Sequence, residues 1–367
     1  MDVSSKDRSQ ADREEKKALE KWRVLSRWLL VLPFALVGLA GLGAWGFWSH
    51  MARETESFLD LWQEQEEAVG RHWTCPDRRL TGFPFEIIVS CAKPHFRGEI
   101  NGRLFEGDLG GFRAEAALVS PNRIIAHMQP PFSGATRDKA FEVTLQWKDL
   151  TVELDSEQDV FNRSQVDIVD LDLHGQALGF GPLEARVERI ETKVQALPDR
   201  PDQAYDFHVA LHAAAIPALD SFLGNSEKAD LGADGTVTRL RFNADGLLVD
   251  QIEAWRQAGG SITLARAWLT KGAIRAGLDG TLGLDPSHRP TGRLQARLNG
   301  LEELLRSYGV NPGLVQAGSL LSGLFGGNAK PEAQDDQATG LRLPVRISEG
   351  SLYIGPVRTP VSWPPLY

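Results

Sequence analysis

Between Trp28 and Ser49 the chain carries no charged side chain: WLLVLPFALVGLAGLGAWGFWS. A helix needs about 20 apolar residues to cross the hydrocarbon core of a bilayer, so this run reads as a membrane span. Trp28 opens it, and Trp45 and Trp48 close it, where indole rings suit the two lipid–water interfaces. Pro33 lies inside, which a lipid-embedded helix tolerates better than a soluble one. Lys16, Lys17, Lys21, Arg23 and Arg27 precede the run, whereas Arg53 is the only Lys or Arg between it and Arg71. The positive-inside rule then keeps the tail 1–27 in the cytoplasm and exports everything after residue 49.

The competing reading is a cleaved signal peptide, with Gly38-Leu39-Ala40 as the small-x-small site. The apolar stretch runs on to Trp48 and the charged tail is long, so the anchor is preferred. Gly41-x-Gly43-x-x-Gly46 spells a dinucleotide-binding pattern but lies within the span, where no strand precedes it and no soluble helix follows. Ala40 and Ala44 at i, i+4 would let two spans approach, the basis for a homodimer.

The formal net charge is −9 and no basic stripe breaks the acidic body, which argues against nucleic acid as a partner. Cys75 and Cys91 are the only cysteines, and both follow the span. In an exported compartment such a pair closes as a disulfide, clamping the turn-rich segment TCPDRRLTGFPFEIIVSC. A redox-active pair would need a CxxC spacing, which is absent.

Phe58, Leu61, Trp62, Ala68 and Val69 recur at helical spacing, predicting a juxtamembrane helix within 50–74. From residue 84 the period becomes two. Phe85, Ile87, Val89 and Cys91 alternate with Glu86, Ile88 and Ser90, and similar alternation marks strands at 141–147, 205–211, 294–298 and 341–347. Asn101-Gly102, Asp234-Gly235, Asp245-Gly246, Asp279-Gly280 and Asn299-Gly300 read as hairpin turns. The alternation loses parity between Trp147 and Leu150, predicting a bulge near Lys148-Asp149. Helices are expected at Ile216–Leu223, Leu301–Tyr308 and Leu314–Phe325, and a loop at 326–340.

These elements predict a mainly β (α+β) fold: a tail 1–27, a transmembrane helix 28–49, a juxtamembrane helix 50–74 and an exported antiparallel β domain 75–367. The sheet either packs as two layers or curls around its own apolar face, and the sequence leaves both open.

The segments WRQAGGSITLARAWLTKGAIRAGLDGTLGLDPSHRPTGRLQARLNGLEELL, LRLPVRISEGSLYIGPV and the terminal PPLY resemble an uncharacterised bacterial family, domain of unknown function 2125. Gly82-Phe83-Pro84-Phe85 and Cys91 look like its N-terminal signature. The resemblance implies an inner-membrane-anchored or periplasmic protein of a Gram-negative cell and brings no catalytic residues. The strand-plus-glycine texture is also similar, in architecture alone, to AsmA-type envelope proteins implicated in lipid traffic.

Chemistry-bearing groups are sparse. Asp170, Asp172 and His174 fall on one strand face and could hold a divalent metal, but the intervening Leu171 and Leu173 favour a solvated outer face. His208 and His212 are four apart in an alternating segment and lack the glutamate of a helical zinc motif. No catalytic, metal or cofactor residue is assigned, and no cofactor is expected. Trp147, Trp255 and Trp268 lie in or beside strands, either as core aromatics or as the lining of an apolar groove. The leading expectation is a non-enzymatic inner-membrane envelope protein with a lipid ligand. A structural or interaction module is the second, and a metal-dependent hydrolase at Asp170–His174 the third.

Overall fold

In a computed structural model, residues 4–100, 102–157, 160–179, 181–240, 248–300 and 341–367 are described. The chain begins with one 65-residue helix, α1 (Ser4–Ala68), which passes through Pro33 without a break. Its Leu32–Ala68 stretch is long and apolar enough to cross a membrane, with a mean hydropathy of 1.4 in its most apolar window and none of that window buried. The juxtamembrane helix continues the apolar run as one element. The helix stops at Ala68, Gly70 turns the chain with φ +79°, and His72–Thr74 is already a strand.

Eighteen strands follow among the described residues, all in one antiparallel sheet. The first four are short: β1 (His72–Thr74), β2 (Arg79–Thr81), β3 (Glu86–Cys91) and β4 (His95–Ile100). The long ones are β5 (Arg103–Ala117), β6 (Ser120–Thr136), β9 (Val160–Ala177) and β10 (Gly181–Leu197), with β7 (Phe141–Gln146) and β8 (Asp149–Glu157) between. Next come β11 (Ala204–Ala214), β12 (Ala229–Val237), β13 (Ile262–Lys271), β14 (Ile274–Leu284) and β15 (Pro290–Asn299). β16 (Leu341–Ser348), β17 (Ser351–Ile354) and β18 (Val357–Ser362) finish it. β3 and β4 share one edge of β5, and β7 and β8 both lie between β6 and β9. From β9 to β18 each strand pairs with the next. No second sheet covers this one among the described residues, so the two-layer alternative does not apply to them.

The expected parity break is present, and with it the expected bulge. Against β6, Phe132 pairs with Leu145 and His127 with Thr151, so the β7–β8 segment carries one extra residue between these pairs. Against β9, Gln146 pairs with Asp172 and Asp149 with Val169, and the two advance equally. The irregularity is shared: β7 yields to β8 at Trp147–Lys148, and opposite them Asp170 adopts φ +52°. A crease crosses the sheet there, at the bulge that the β7–β8 segment makes against β6.

Two predicted turns are mid-strand. Asp234-Gly235 lies within β12 and Asp279-Gly280 within β14. Gly235 is there because a Cβ would meet the Phe207 ring and the Thr263 carbonyl, and a register shift against β13 occurs at the same place. Gly280, at φ +139°, approaches the Arg293 backbone too closely for a side chain. Gly102 and Gly300 do have left-handed φ values, Gly102 directly before β5 and Gly300 directly after β15. Asn101, Asp245-Gly246, the helices expected at 301–308 and 314–325, and the loop 326–340 fall outside the described residues.

Helix α2 (Pro217–Leu223) matches its sequence signal, with Pro217 in the first turn and Gly224 as a left-handed C-cap. Helix α3 (Leu248–Gln257) was not anticipated, and it carries Trp255, which is therefore helical.

Candidate apolar ligand site

Antiparallel pairing places directly opposed residues on the same face, and successive residues of a strand on opposite faces. Val89 of β3 stands opposite Ala114, which stands opposite Ala126, then Val152, then Val166 of β9. Beyond β9 the line continues through Thr192, Val209, Ala233, Ala267, Leu278 and Ala296 to Leu343 of β16. It crosses twelve strands with one hydroxyl and no charge. At a spacing near 4.8 Å between strands, this is an apolar line of about 50 Å along the sheet. Val89 is buried, whereas every other residue on it is half-buried, as expected for the wall of a trough rather than the inside of a filled core.

At the β3 end the trough deepens into a cavity of about 460 Å³ where α1 crosses the crease. This lies within the ~300–1,000 Å³ range of small-molecule sites. Leu59 and Trp62 of α1 form one wall, Trp73 and Phe96 the next, and Trp147 and Leu150 a third. The helical residues facing it are Leu59, Trp62 and Gln63, whereas Phe58 and Leu61 are more than half exposed.

The two indoles spend their polar atoms elsewhere. Trp147 Nε1 donates to the Met128 carbonyl at 2.9 Å, and Trp73 Nε1 donates to Glu66 Oε2 at 2.9 Å. The Glu66 carboxylate also takes two bonds from Arg71, at 2.5 and 2.7 Å. What remains toward the cavity is ring surface, suited to hydrocarbon and poor in hydrogen-bonding partners. Trp62, Trp73 and Phe96 form a contiguous aromatic wall, with centroids 5.9 and 4.5 Å apart.

The Cys75–Cys91 disulfide closes beside this cavity, with an S–S distance of 2.04 Å. It ties the β1–β2 segment to β3 at the point where Val89 begins the apolar line. Asp77 lies near both sulfurs, so Cys75, Asp77 and Cys91 are close enough to resemble a ligand set. Because the sulfurs are bonded to each other, neither is the thiolate a metal requires.

The three tryptophans singled out by sequence are not brought together. Trp147 lines the cavity and is buried. Trp255 is buried in α3, where Nε1 donates to the Thr238 carbonyl at 2.8 Å, beside a separate and more polar hollow near Asp202 and Arg239. Trp268 follows Ala267 and so points to the outward face, under the Arg266 guanidinium (4.5 Å) and stacked on His208 (6.1 Å).

The outward face is dressed with ion pairs. His208 Nδ1 lies 2.6 Å from Asp234, which also accepts from Arg266 at 2.8 Å. His208, with Arg266 adding to it, holds the Asp234 carboxyl below its usual range against the opposing effect of burial. His212 instead stands 3.8 Å from both Glu191 and Asp230, so His208 and His212 serve separate clusters. Asp172 bridges His174 (2.8 Å) and Arg186 (3.2 Å), while Asp170 sits at the crease. Asp170, Asp172 and His174 do not converge as a three-ligand set among the described residues.

A bacterial family described as an uncharacterised protein conserved in bacteria, DUF2125, matches residues 48–361. The chain belongs to the DUF2125 family. The DUF2125 match takes in β1 to β17 and most of β18, hence the whole apolar line, the cavity and the disulfide. It begins at Trp48, so the last third of α1, which walls the cavity, lies inside the family region and most of the apolar run lies before it. No curated protein matches the chain.

Proposed function

We propose that this DUF2125 protein is a non-enzymatic component of the cell envelope, anchored in the inner membrane by α1, whose periplasmic sheet binds lipid and passes it along its apolar face. One observation carries the reading: the cavity beside α1 opens onto an apolar line that crosses twelve strands and that no second sheet covers among the described residues. A chain molecule of hydrocarbon fits such a surface, because the surface offers continuous apolar contact and few directional groups. Leu150, at the cavity, precedes Val152 and Leu154 on the same face, and Leu154 pairs with Ile124. Both Leu154 and Ile124 are 40% exposed, which extends the apolar path toward the strand ends nearest α1's apolar run.

Native mass spectrometry of the full-length protein, extracted from membranes in mild detergent, tests the proposal. The expected spectrum contains protein carrying acyl lipid that survives delipidating washes, and Leu145→Trp, which places a large ring in the cavity wall, removes it. A wild-type spectrum of bare protein alone would overturn the lipid reading.

A further inference from the structure

We propose that the β5–β6 hairpin and the Phe83–Phe85 turn are seated in the surface of the bilayer that α1 crosses, so that the sheet stands on the membrane by its strand ends. The inference deepens the anchored reading and rests on it. Its starting point is Trp48, which closes the apolar run and belongs at an interface. Trp48 Nε1 donates to the Glu86 carbonyl at 2.7 Å, and its ring meets Phe83 edge-on with centroids 6.0 Å apart. The first residue of β3 is therefore fixed at the height where α1 leaves the lipid.

From there β3 climbs alongside α1. At its far end Cys91 lies 3.6 Å from Asp77, and the adjoining Arg78 pairs with Asp60 of α1 at 2.5 Å. Five steps of strand cover about 17 Å and twelve residues of helix about 18 Å, so the two axes run together and β3 rises away from the bilayer. The opposite direction leads to the membrane. There the Leu118 N–H donates to the Phe85 carbonyl at 2.8 Å, holding the β5–β6 turn level with Phe85.

The side chains at this end are apolar and uncovered: Val119 is 93% exposed, Phe85 76% and Phe83 49%. Trp45 and Phe47 on α1 are similarly open, at 60% and 55%. An exposed apolar cluster continuous with a membrane-crossing helix, at its interface tryptophan, has the bilayer itself as its fitting partner. The arrangement would also put the lower end of the trough, at Ile124 and Leu154, directly above the lipid.

The test uses full-length protein in phosphatidylcholine–phosphatidylglycerol vesicles, with a bimane label on Val119→Cys or Arg137→Cys. The native cysteines are bonded to each other and take no label. Arg137 follows the far end of β6, up to about 60 Å along the strand from Val119. Lipids carrying a shallow doxyl group should quench the Val119 probe at least threefold more than the Arg137 probe, and Phe85→Ser should reduce that difference. Equal quenching in protein that stays in the vesicles through an alkaline wash would overturn the inference while leaving the anchor standing. Release of the protein by that wash would overturn both.

Discussion

The Trp147 indole is held against the cavity wall by its bond to the Met128 carbonyl, 2.9 Å away across the crease. Removing the ring by Trp147→Ala should cost about 3–5 kcal/mol, since the site is walled by strands that cannot collapse fully. Trp147→Phe keeps most of the ring volume and loses the hydrogen bond, so its cost should be nearer 1–2 kcal/mol. Urea unfolding of the two variants checks the order, and a larger loss in Phe than in Ala would contradict it.

Lys271 is fully buried, and its ammonium meets Asp220 Oδ1 at 2.6 Å and the Glu227 carbonyl. This pair fastens α2 to β13. Asp220→Ala strands a buried cation and should destabilise by about 3–5 kcal/mol. The double change Asp220→Leu with Lys271→Met removes both charges and should recover much of that loss. Thermal melts of the single and double variants measure the coupling.

Glu253 joins α3 to the C-terminus: Arg256 donates to it twice, and the Tyr367 hydroxyl donates at 2.8 Å. Arg256 first, then Tyr367 and Gln257, hold its carboxyl far below the usual glutamate range. A carboxyl whose pKa is depressed by folding stabilises fully above its unfolded value, about 4.3, and loses that contribution as pH falls below it. The melting difference between wild type and Glu253→Gln should therefore shrink as pH falls below about 4. A difference that grows on acidification would refute this account of the C-terminal contact.

Glycines at the crease and in the open sheet should respond in opposite ways. A Cβ on Gly110 would collide with the Pro130 carbonyl, which is backbone and cannot swing aside. Gly110→Ala should cost at least about 2 kcal/mol. A Cβ on Gly277 meets nothing closer than 3.9 Å, and its φ is ordinary. Gly277→Ala should be neutral or stabilise by about 0.5 kcal/mol.

The disulfide closes a loop of sequence separation 16. Cys75→Ser with Cys91→Ser should lower stability by about 3 kcal/mol through the freer unfolded chain. Because that loop frames the cavity, acyl-chain retention should fall in the same variant.

The apolar run, the cysteine pair and the strand alternation were legible because each is a local property of side-chain type and spacing. Two-residue alternation sets the inward face of β3, β7, β11, β15 and β16 without reference to any partner strand. The turns at Asp234-Gly235 and Asp279-Gly280 were misread because the same dipeptide serves a tight hairpin and a crowded strand crossing. Only the neighbour, Phe207 or Arg293, distinguishes them. Helix α3 escaped notice because the Asp245-Gly246 pair just before it reads as a hairpin turn. The cavity was half visible: Trp147 was named, but the opposite wall at Leu59 and Trp62 is brought there by a helix whose position depends on Trp48 and Asp60 finding distant partners. Trp268 shows the limit of composition, for an indole on a sheet is assigned to one face only by register.

Photocrosslinking in living membranes addresses the central claim most directly, with a benzophenone amino acid replacing Val152 or Leu278 on the apolar line, or Lys193 on the outward face. The account predicts lipid adducts at Val152 and at Leu278, many strands away, and none at Lys193. Adducts absent from both inner positions, or equally abundant at Lys193, would contradict it.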